Sequence, residues 1–233
     1  MGKFELKYNT KWGLVIMDYL NERKKIVEYG KKLVDEGLTT GTGGNLSIYV
    51  PEDKVMLISP SGINYYETKL EDVVVMDLDG NIKEGDRKPS SEFAMHSIFY
   101  KNKPGVLSVI HAHADFATAM SCLRKSVPPI HYVIADMCKE LKCTDYKIYG
   151  SPEIAEEAYK VMGDDHGILL ANHGLLATGG SIQSALGNAV NIEFLCKLYV
   201  YANAVGKPVA LTNEEMDAVA KKFTNYGQPK SKK

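Results

Sequence analysis

Apolar residues recur every three to four positions in several segments of the chain, which is the spacing of a helix that buries one face. The first such segment covers residues 14–36 and is followed by Gly37, a residue that suits a helix C-cap. The same spacing predicts helices over residues 91–100, 152–162 and 181–205, and Asn213 is placed to cap a last helix.

Short apolar and β-branched runs, bounded by turn residues, predict strands between these helices. They cover residues 46–50, 55–59, 73–78 and 106–110, and two further pieces within residues 168–177. Asp79-Gly80 is a hairpin signal, so the chain lacks the regular strand–helix alternation of a doubly wound sheet. We therefore predict one α/β domain over residues 1–227, with a mainly antiparallel or mixed sheet flanked by helices, and a flexible basic tail at 228–233.

The composition narrows the class of protein. The 233 residues carry a formal charge of −1, which disfavours a nucleic-acid-binding surface, and 45% hydrophobic content disfavours a disordered chain. Four cysteines without a CxxC pair fit neither a disulfide scaffold nor a structural zinc knot. With no signal peptide and no apolar stretch near 20 residues, we expect a cytoplasmic protein without a membrane partner.

Three histidines have the pattern of metal ligands. His111 and His113 are two residues apart at a predicted strand end, so both rings project to one face. His173 lies between two apolar runs, where a buried ring needs a polar partner or a metal. The residues alone also permit a simpler interpretation, with two polar side chains at a strand end and a core histidine bonded to backbone.

Glu92 is the candidate fourth ligand. It lies at the start of a predicted helix, after Ser90-Ser91, where the helix dipole favours a carboxylate. Three imidazoles and one carboxylate would complete a tetrahedral zinc site, and the carboxylate could leave the metal and then act as a base. A capping role for the same residues is the alternative.

Three turns rich in glycine and hydroxyl groups could bind an anion. Residues 41–45 (GTGGN) match neither a P-loop nor GxGxxG, but they offer backbone N–H groups and a hydroxyl. Residues 59–62 form a second such turn, and Ser90-Ser91 stand at a predicted helix N-terminus. Each turn alone is also typical of ordinary loop structure.

Five motifs occur in order along nearly the whole chain: GTGGNLS (41–47), ISPSGI (58–63), KPSSE (88–92), VIHAHA (109–114) and NHGLLA (172–177). Together they resemble the class II aldolase and ribulose-phosphate epimerase family. The resemblance implies a three-layer α/β fold and a cytoplasmic homotetramer with active sites between subunits. It also implies one Zn²⁺ or another divalent ion per subunit. The implied reaction is the cleavage of L-fuculose 1-phosphate, or a related deoxy-ketose 1-phosphate, to dihydroxyacetone phosphate and an aldehyde.

The resemblance also assigns roles to residues. Glu92 becomes both a metal ligand and the acid/base, while Tyr132 reaches a neighbouring subunit's site and Tyr226 belongs to a C-terminal segment that closes over the substrate. The implied zinc ligands are His111, His113, His173 and Glu92, and the implied phosphate-binding residues are Thr42, Gly44, Asn45, Ser61, Gly62, Ser90 and Ser91. If the segment before Tyr132 is extended, His131 points away from that tyrosine.

Other functions remain open on the same scaffold. The epimerase branch, which acts on ribulose 5-phosphate, tends to carry Asp where this chain has Glu92, so Glu92 and Tyr226 favour the aldolase. A methylthioribulose-1-phosphate dehydratase is a further alternative. A non-enzymatic adducin-like head domain lacks the zinc ligands, which are all present in this chain.

Overall fold

The computed structural model describes residues 7–10 and 13–223. The first described elements are β1 (Lys7–Thr10) and β2 (Gly13–Ile16), which pair antiparallel. Within the described residues, none of the helices combines the length and the apolar character that a membrane span needs.

The predicted start of the first helix at residue 14 is wrong. Val15 and Ile16 are β-branched and belong to β2, whereas α1 covers Leu20–Asp35. Tyr19 has a left-handed backbone with φ of 59°, which prevents the helix from continuing toward the N-terminus. The apolar spacing across residues 14–17 is therefore that of a strand and a turn.

A seven-stranded sheet forms the centre of the protein, in the order β6-β5-β4-β3-β7-β9-β8. Each pair of neighbouring strands is antiparallel, as predicted. The predicted hairpin at Asp79-Gly80 joins β5 to β6. The strands are β3 (Asn45–Val50), β4 (Val55–Ile58), β5 (Val74–Asp77), β6 (Ile82–Glu84), β7 (Ser108–Ala112), β8 (Gly167–Leu170) and β9 (Gly174–Gly179).

Helices cover both faces of this sheet. The predicted helices over residues 91–100, 152–162 and 181–205 are present within a few residues, and a further helix, whose bounds the periodicity did not predict, covers Asp115–Cys122. The remaining helices are α2 (Phe93–Asn102), α3 (Asp115–Cys122), α4 (Pro152–Met162), α5 (Ile182–Val205) and α6 (Asn213–Phe223). The cap of α6 is Thr212 rather than Asn213, because the Thr212 hydroxyl accepts from the N–H of Glu215 at 3.2 Å.

Side-chain alternation along the strands divides the core into two halves. Leu46, Ile110 and Leu175 face one side, where they pack with α1, α3 and α5. Val109 and Leu176 face the other side, with α2 and α4. The protein is thus a three-layer α/β fold, and His111 shares the α2 side of β7 with Val109 because the two residues are two apart.

Candidate metal centre

His111 lies on β7, directly opposite Asn45 of β3 and Leu176 of β9. Its ring is fully buried, and its Nδ1–H donates to the carbonyl oxygen of Leu175 at 2.8 Å. This hydrogen bond leaves the lone pair on Nε2, which is the arrangement that a metal-binding imidazole requires.

The three histidines converge at one end of the sheet. Nε2 of His111 lies 2.9 Å from Nε2 of His113, and the candidate ligand nitrogens of His111, His113 and His173 all lie within 4.8 Å of one another. In the part of the chain that the structure describes, no other group of histidine, cysteine or acidic residues has this geometry. The arrangement can supply three nitrogen ligands to a divalent ion.

His173 is positioned by α3, the helix that the sequence did not predict. It lies in the short turn between β8 and β9, after Asn172, whose backbone is left-handed with φ of 53°. The backbone N–H of Asn172 donates to the Ser121 carbonyl at 3.1 Å, and that of His173 donates to Ser121 Oγ at 3.2 Å. Arg124 Nε donates to the Asn172 side chain at 2.6 Å, which further fixes the turn.

Glu92 brings a carboxylate to the same point. The residue is buried at the N-cap of α2, with Oε2 3.3 Å from Nε2 of His111 and Oε1 3.5 Å from Nε2 of His173. Oε1 is buried and has no hydrogen-bond partner among the described residues. An unpartnered carboxylate oxygen beside imidazole nitrogens is costly unless a cation joins them, so these residues fit a divalent metal.

The surroundings of the three histidine rings favour the neutral imidazole, which is the form that binds a metal. Burial lowers the pKa of His111 well below its ordinary value, and the neighbouring His173 and His113 lower it further. Burial is also the main cause of the lowered pKa values of His113 and His173. All three rings are therefore neutral near pH 7, and each can offer a lone pair.

Two glycines allow backbone segments to approach this end of β7. A Cβ on Gly44, whose φ is +68°, would lie 2.6 Å from the carbonyl oxygen of His111. A Cβ on Gly174 would lie 2.3 Å from the carbonyl oxygen of Ala112. The glycines of the GTGGN and NHG motifs thus bring their loops against the histidines.

The candidate phosphate loops are joined by backbone hydrogen bonds. The N–H of Ser61 donates to the Lys88 carbonyl at 2.9 Å, and that of Ser90 donates to the Ser59 carbonyl at 3.2 Å. Ser61, Gly62 and Ser91 are exposed beside Glu92's helix start, whereas Ser90 is buried.

The GTGGN loop is the third of these turns. Thr42 is exposed, and Gly44 is held by the Tyr65 hydroxyl, which donates to its carbonyl at 3.0 Å. Asn45 differs from the other candidates, because its side chain is hydrogen-bonded inside the protein, to Glu92 and to His96. No motif of the sequence assigns a role to His96, but this residue is four positions after Glu92, so both lie on one side of α2.

Tyr132 is 52% exposed, and its ring stacks on His131 with centroids 4.7 Å apart. The two side chains would point apart only in an extended segment, and this condition is not met, because a 3₁₀ helix begins at Tyr132 and turns the chain. The ring of Tyr132 also stacks with that of Phe223 of α6, with centroids 6.2 Å apart. Tyr226 and the predicted basic tail at 228–233 lie outside the described residues.

Comparisons with known proteins identify the family. The family described as class II aldolase and adducin N-terminal domain matches residues 24–200. The 5-deoxy-D-ribulose 1-phosphate aldolase of Bacillus thuringiensis serovar kurstaki is 44% identical over 207 residues, covering 89% of this chain and 97% of that protein. The L-fuculose phosphate aldolase of Escherichia coli strain K12 is 34% identical over 206 residues, which cover 88% of this chain and 94% of that protein.

Solved structures give the same result. One named L-fuculose 1-phosphate aldolase has a TM-score of 0.87 at 43% identity and covers 89% of this chain and 98% of that chain. The L-fuculose-1-phosphate aldolase of Thermus thermophilus has a TM-score of 0.70 at 25% identity, and the match covers 81% of this chain and 98% of that chain. The predicted family and fold are therefore confirmed, and this chain belongs to the class II aldolase and adducin N-terminal domain family.

Proposed function

We propose that this class II aldolase cleaves a deoxy-ketose 1-phosphate to dihydroxyacetone phosphate and an aldehyde, with Zn²⁺ as its metal. The observation that carries the proposal is the convergence of three imidazoles beside the carboxylate of Glu92, whose buried Oε1 has no hydrogen-bond partner among the described residues. 5-Deoxyribulose 1-phosphate is the first candidate substrate, since the 44% identical relative is named for it, and L-fuculose 1-phosphate is the second.

His111, His113 and His173 would hold the metal, with Glu92 as a ligand that can be displaced. When bound, the ion supplies a Lewis acid that stabilises negative charge developing on the substrate's C2 oxygen. A base takes the proton of the C4 hydroxyl, the C3–C4 bond breaks, and its electron pair stays on the phosphate-bearing fragment. Glu92 then delivers a proton to C3, which completes dihydroxyacetone phosphate.

Tyr132 is our candidate for the group that exchanges the proton on the C4 oxygen, in the site of a neighbouring subunit. The exposure of its side chain at the start of a 3₁₀ helix supports this role, because an exposed ring can contact a neighbouring subunit. The role requires the homotetramer that the motifs predict, which sedimentation or light scattering would test. Closure over the substrate by Tyr226 stays a prediction as well.

A cleavage panel tests the function. Purified protein is given L-fuculose, 5-deoxyribulose, 5-methylthioribulose and L-rhamnulose 1-phosphates, with ribulose 5-phosphate as the epimerase substrate, and products are measured with and without a chelator. We expect dihydroxyacetone phosphate from a deoxy-ketose 1-phosphate, and loss of the activity on chelation. Xylulose 5-phosphate or a dehydrated product would instead favour the epimerase or the dehydratase. A protein that binds no divalent metal would favour an adducin-like binding module.

Thr42→Ala is expected to raise KM for a phosphorylated ketose about 10-fold while kcat changes little, since one hydrogen bond to a charged phosphate is lost. Thr40→Ala is the matched control, because Thr40 is exposed on the same loop and is not a candidate phosphate ligand. Steady-state kinetics measure both variants. An unchanged KM in Thr42→Ala would remove this loop from the phosphate site.

A further inference from the structure

A chain of buried polar side chains extends away from Glu92 between β3 and α2. Asn45 Nδ2 donates to Glu92 Oε2 at 2.9 Å, and Asn45 Oδ1 lies 2.5 Å from His96 Nε2. His96 Nδ1 lies 2.7 Å from Ser47 Oγ, which lies 2.5 Å from the Tyr100 hydroxyl. We call these five residues the buried polar chain.

Simple periodicity places these residues together. Glu92, His96 and Tyr100 are four residues apart, so they follow one side of α2 and its N-cap. Asn45 and Ser47 are two apart on β3, so both face α2. The polar positions of a strand thus meet the polar positions of a helix inside an otherwise apolar core.

The hydrogen bonds in this chain have one consistent direction. A carboxylate only accepts, so Asn45 must present its Nδ2–H to Glu92 and its Oδ1 to His96. The His96 ring must then carry its proton on Nε2, and its Nδ1 accepts from the Ser47 hydroxyl. Ser47 Oγ has donated its only proton and accepts from Tyr100.

The burial of this chain calls for a reason beyond packing. His96 and Ser47 are fully buried, and burial lowers the pKa of His96 to about 3, so the ring is neutral and has a single N–H. Apolar residues of similar size would fill this space without the cost of desolvating five polar groups. The Tyr100 end of the buried polar chain has no hydrogen bond to a candidate metal ligand. At the other end, Asn45 holds one oxygen of Glu92 and leaves the second oxygen without a partner.

We propose that His96 is a positioning residue for Glu92, acting through the side-chain amide of Asn45. The inference rests on the acid–base role proposed above for Glu92. By fixing the amide, His96 holds Glu92 Oε2 in one place, so that Oε1 stays beside Nε2 of His173. Without the His96 donor, the amide of Asn45 can rotate, and its oxygen then meets the carboxylate.

Two variants of equal length separate positioning from packing. Gln at position 96 retains an N–H that can reach Asn45 Oδ1, whereas Met fills similar space without a donor. We expect His96→Met to lower kcat about 10-fold to 100-fold with KM within about 3-fold, and His96→Gln to retain most of kcat. Ser108→Ala is the control, because the buried Ser108 hydroxyl donates to the Ser47 carbonyl and is not part of the buried polar chain. It should leave kcat unchanged.

A second measurement does not depend on cleavage. Zn²⁺ affinity, from competition with a chromophoric chelator, is compared for His96→Met in two backgrounds, wild type and Glu92→Ala. We expect about a 10-fold loss of affinity where Glu92 is present and no further loss where it is absent. Equal losses in both backgrounds, or equal kcat in His96→Met and His96→Gln, would overturn the proposal.

The outcomes also separate this inference from the proposed function. A wild-type protein that cleaves none of the ketose phosphates would refute the function, while the Zn²⁺ cycle would still report on the link between His96 and Glu92. If His96→Met does not fold, ¹⁵N spectra of the wild-type ring provide the test. We expect His96 to be protonated on Nε2, and a proton on Nδ1 would overturn the proposal.

Discussion

Glu92→Gln is expected to bind Zn²⁺ and to cleave its ketose phosphate about 10³-fold more slowly than the wild-type protein. The amide has nearly the same shape as the carboxylate, and its single oxygen can take the place of Oε1, which lies 3.5 Å from Nε2 of His173. It cannot take up and return a proton, so C3 of the cleavage product would lack its donor. Kinetics and metal analysis of the same preparation measure both effects.

Glu84→Gln is the matched control for this variant. Glu84 is on β6 at the edge of the sheet, where its carboxylate is paired with Arg23 at 2.6 Å, so the same charge is removed far from the histidines. We expect lower stability and unchanged kcat in this control. Glu92→Gln with activity near wild type, or with kcat and metal content both reduced as the loss of an essential metal ligand would cause, would contradict the assigned role.

The most accurate predictions from sequence are those that depend on local periodicity. The alternation of strand residues predicts that the rings of His111 and His113 project side by side, as they do with their Nε2 atoms 2.9 Å apart, and the helical spacing predicts α4 at its observed bounds. Glycine residues likewise indicate the two turns at the end of β7, those of the GTGGN and NHG motifs. These features are set by residues near one another in the chain, so a single sequence contains enough information to find them.

Features that depend on distant contacts could not be predicted in this way. The helix α3, at Asp115–Cys122, begins with backbone N–H groups of Phe116 and Ala117 that donate to the carboxylate of Glu193 at 3.0 and 2.8 Å. These N–H groups are thus capped from α5, more than seventy residues later, and the local signal for the start of α3 is Asp115, an acidic residue in its first turn. Because α3 accepts a hydrogen bond from the turn of His173, the position of this candidate ligand could not be predicted from the sequence either.

Asn45 illustrates a second limit. Sequence places it in an anion-binding loop, and nothing local indicates which groups its amide meets. In the fold it lies opposite His111 on the neighbouring strand, and the packing of α2 brings Glu92 and His96 to its two ends. A variant at Asn45 therefore changes the surroundings of Glu92 as well as those of a bound phosphate, which is why Thr42 is the better probe of the phosphate site.

Acid is expected to destabilise the metal-free protein strongly below pH 6.5. The pKa values of five histidines are lowered in the fold, in each case mainly by burial: His96, His111, His113, His166 and His173. These rings stay neutral in the folded protein at a pH at which the unfolded chain binds protons. Unfolding therefore takes up protons, and the free energy of unfolding falls as the pH falls.

The fully buried His96 and His111 contribute about 1 kcal/mol each between pH 7 and 5.5, and the more exposed rings contribute less, for a total of about 3 kcal/mol. Urea unfolding in the presence of a chelator, at several pH values, measures this loss. His96→Gln should reduce the pH dependence by about 1 kcal/mol over the same interval, because it removes one ring that takes up a proton on unfolding. A free energy of unfolding that does not change between pH 7 and 5.5 would show that the folded protein takes up as many protons as the unfolded chain over this interval, which would contradict the lowered pKa values of these histidines.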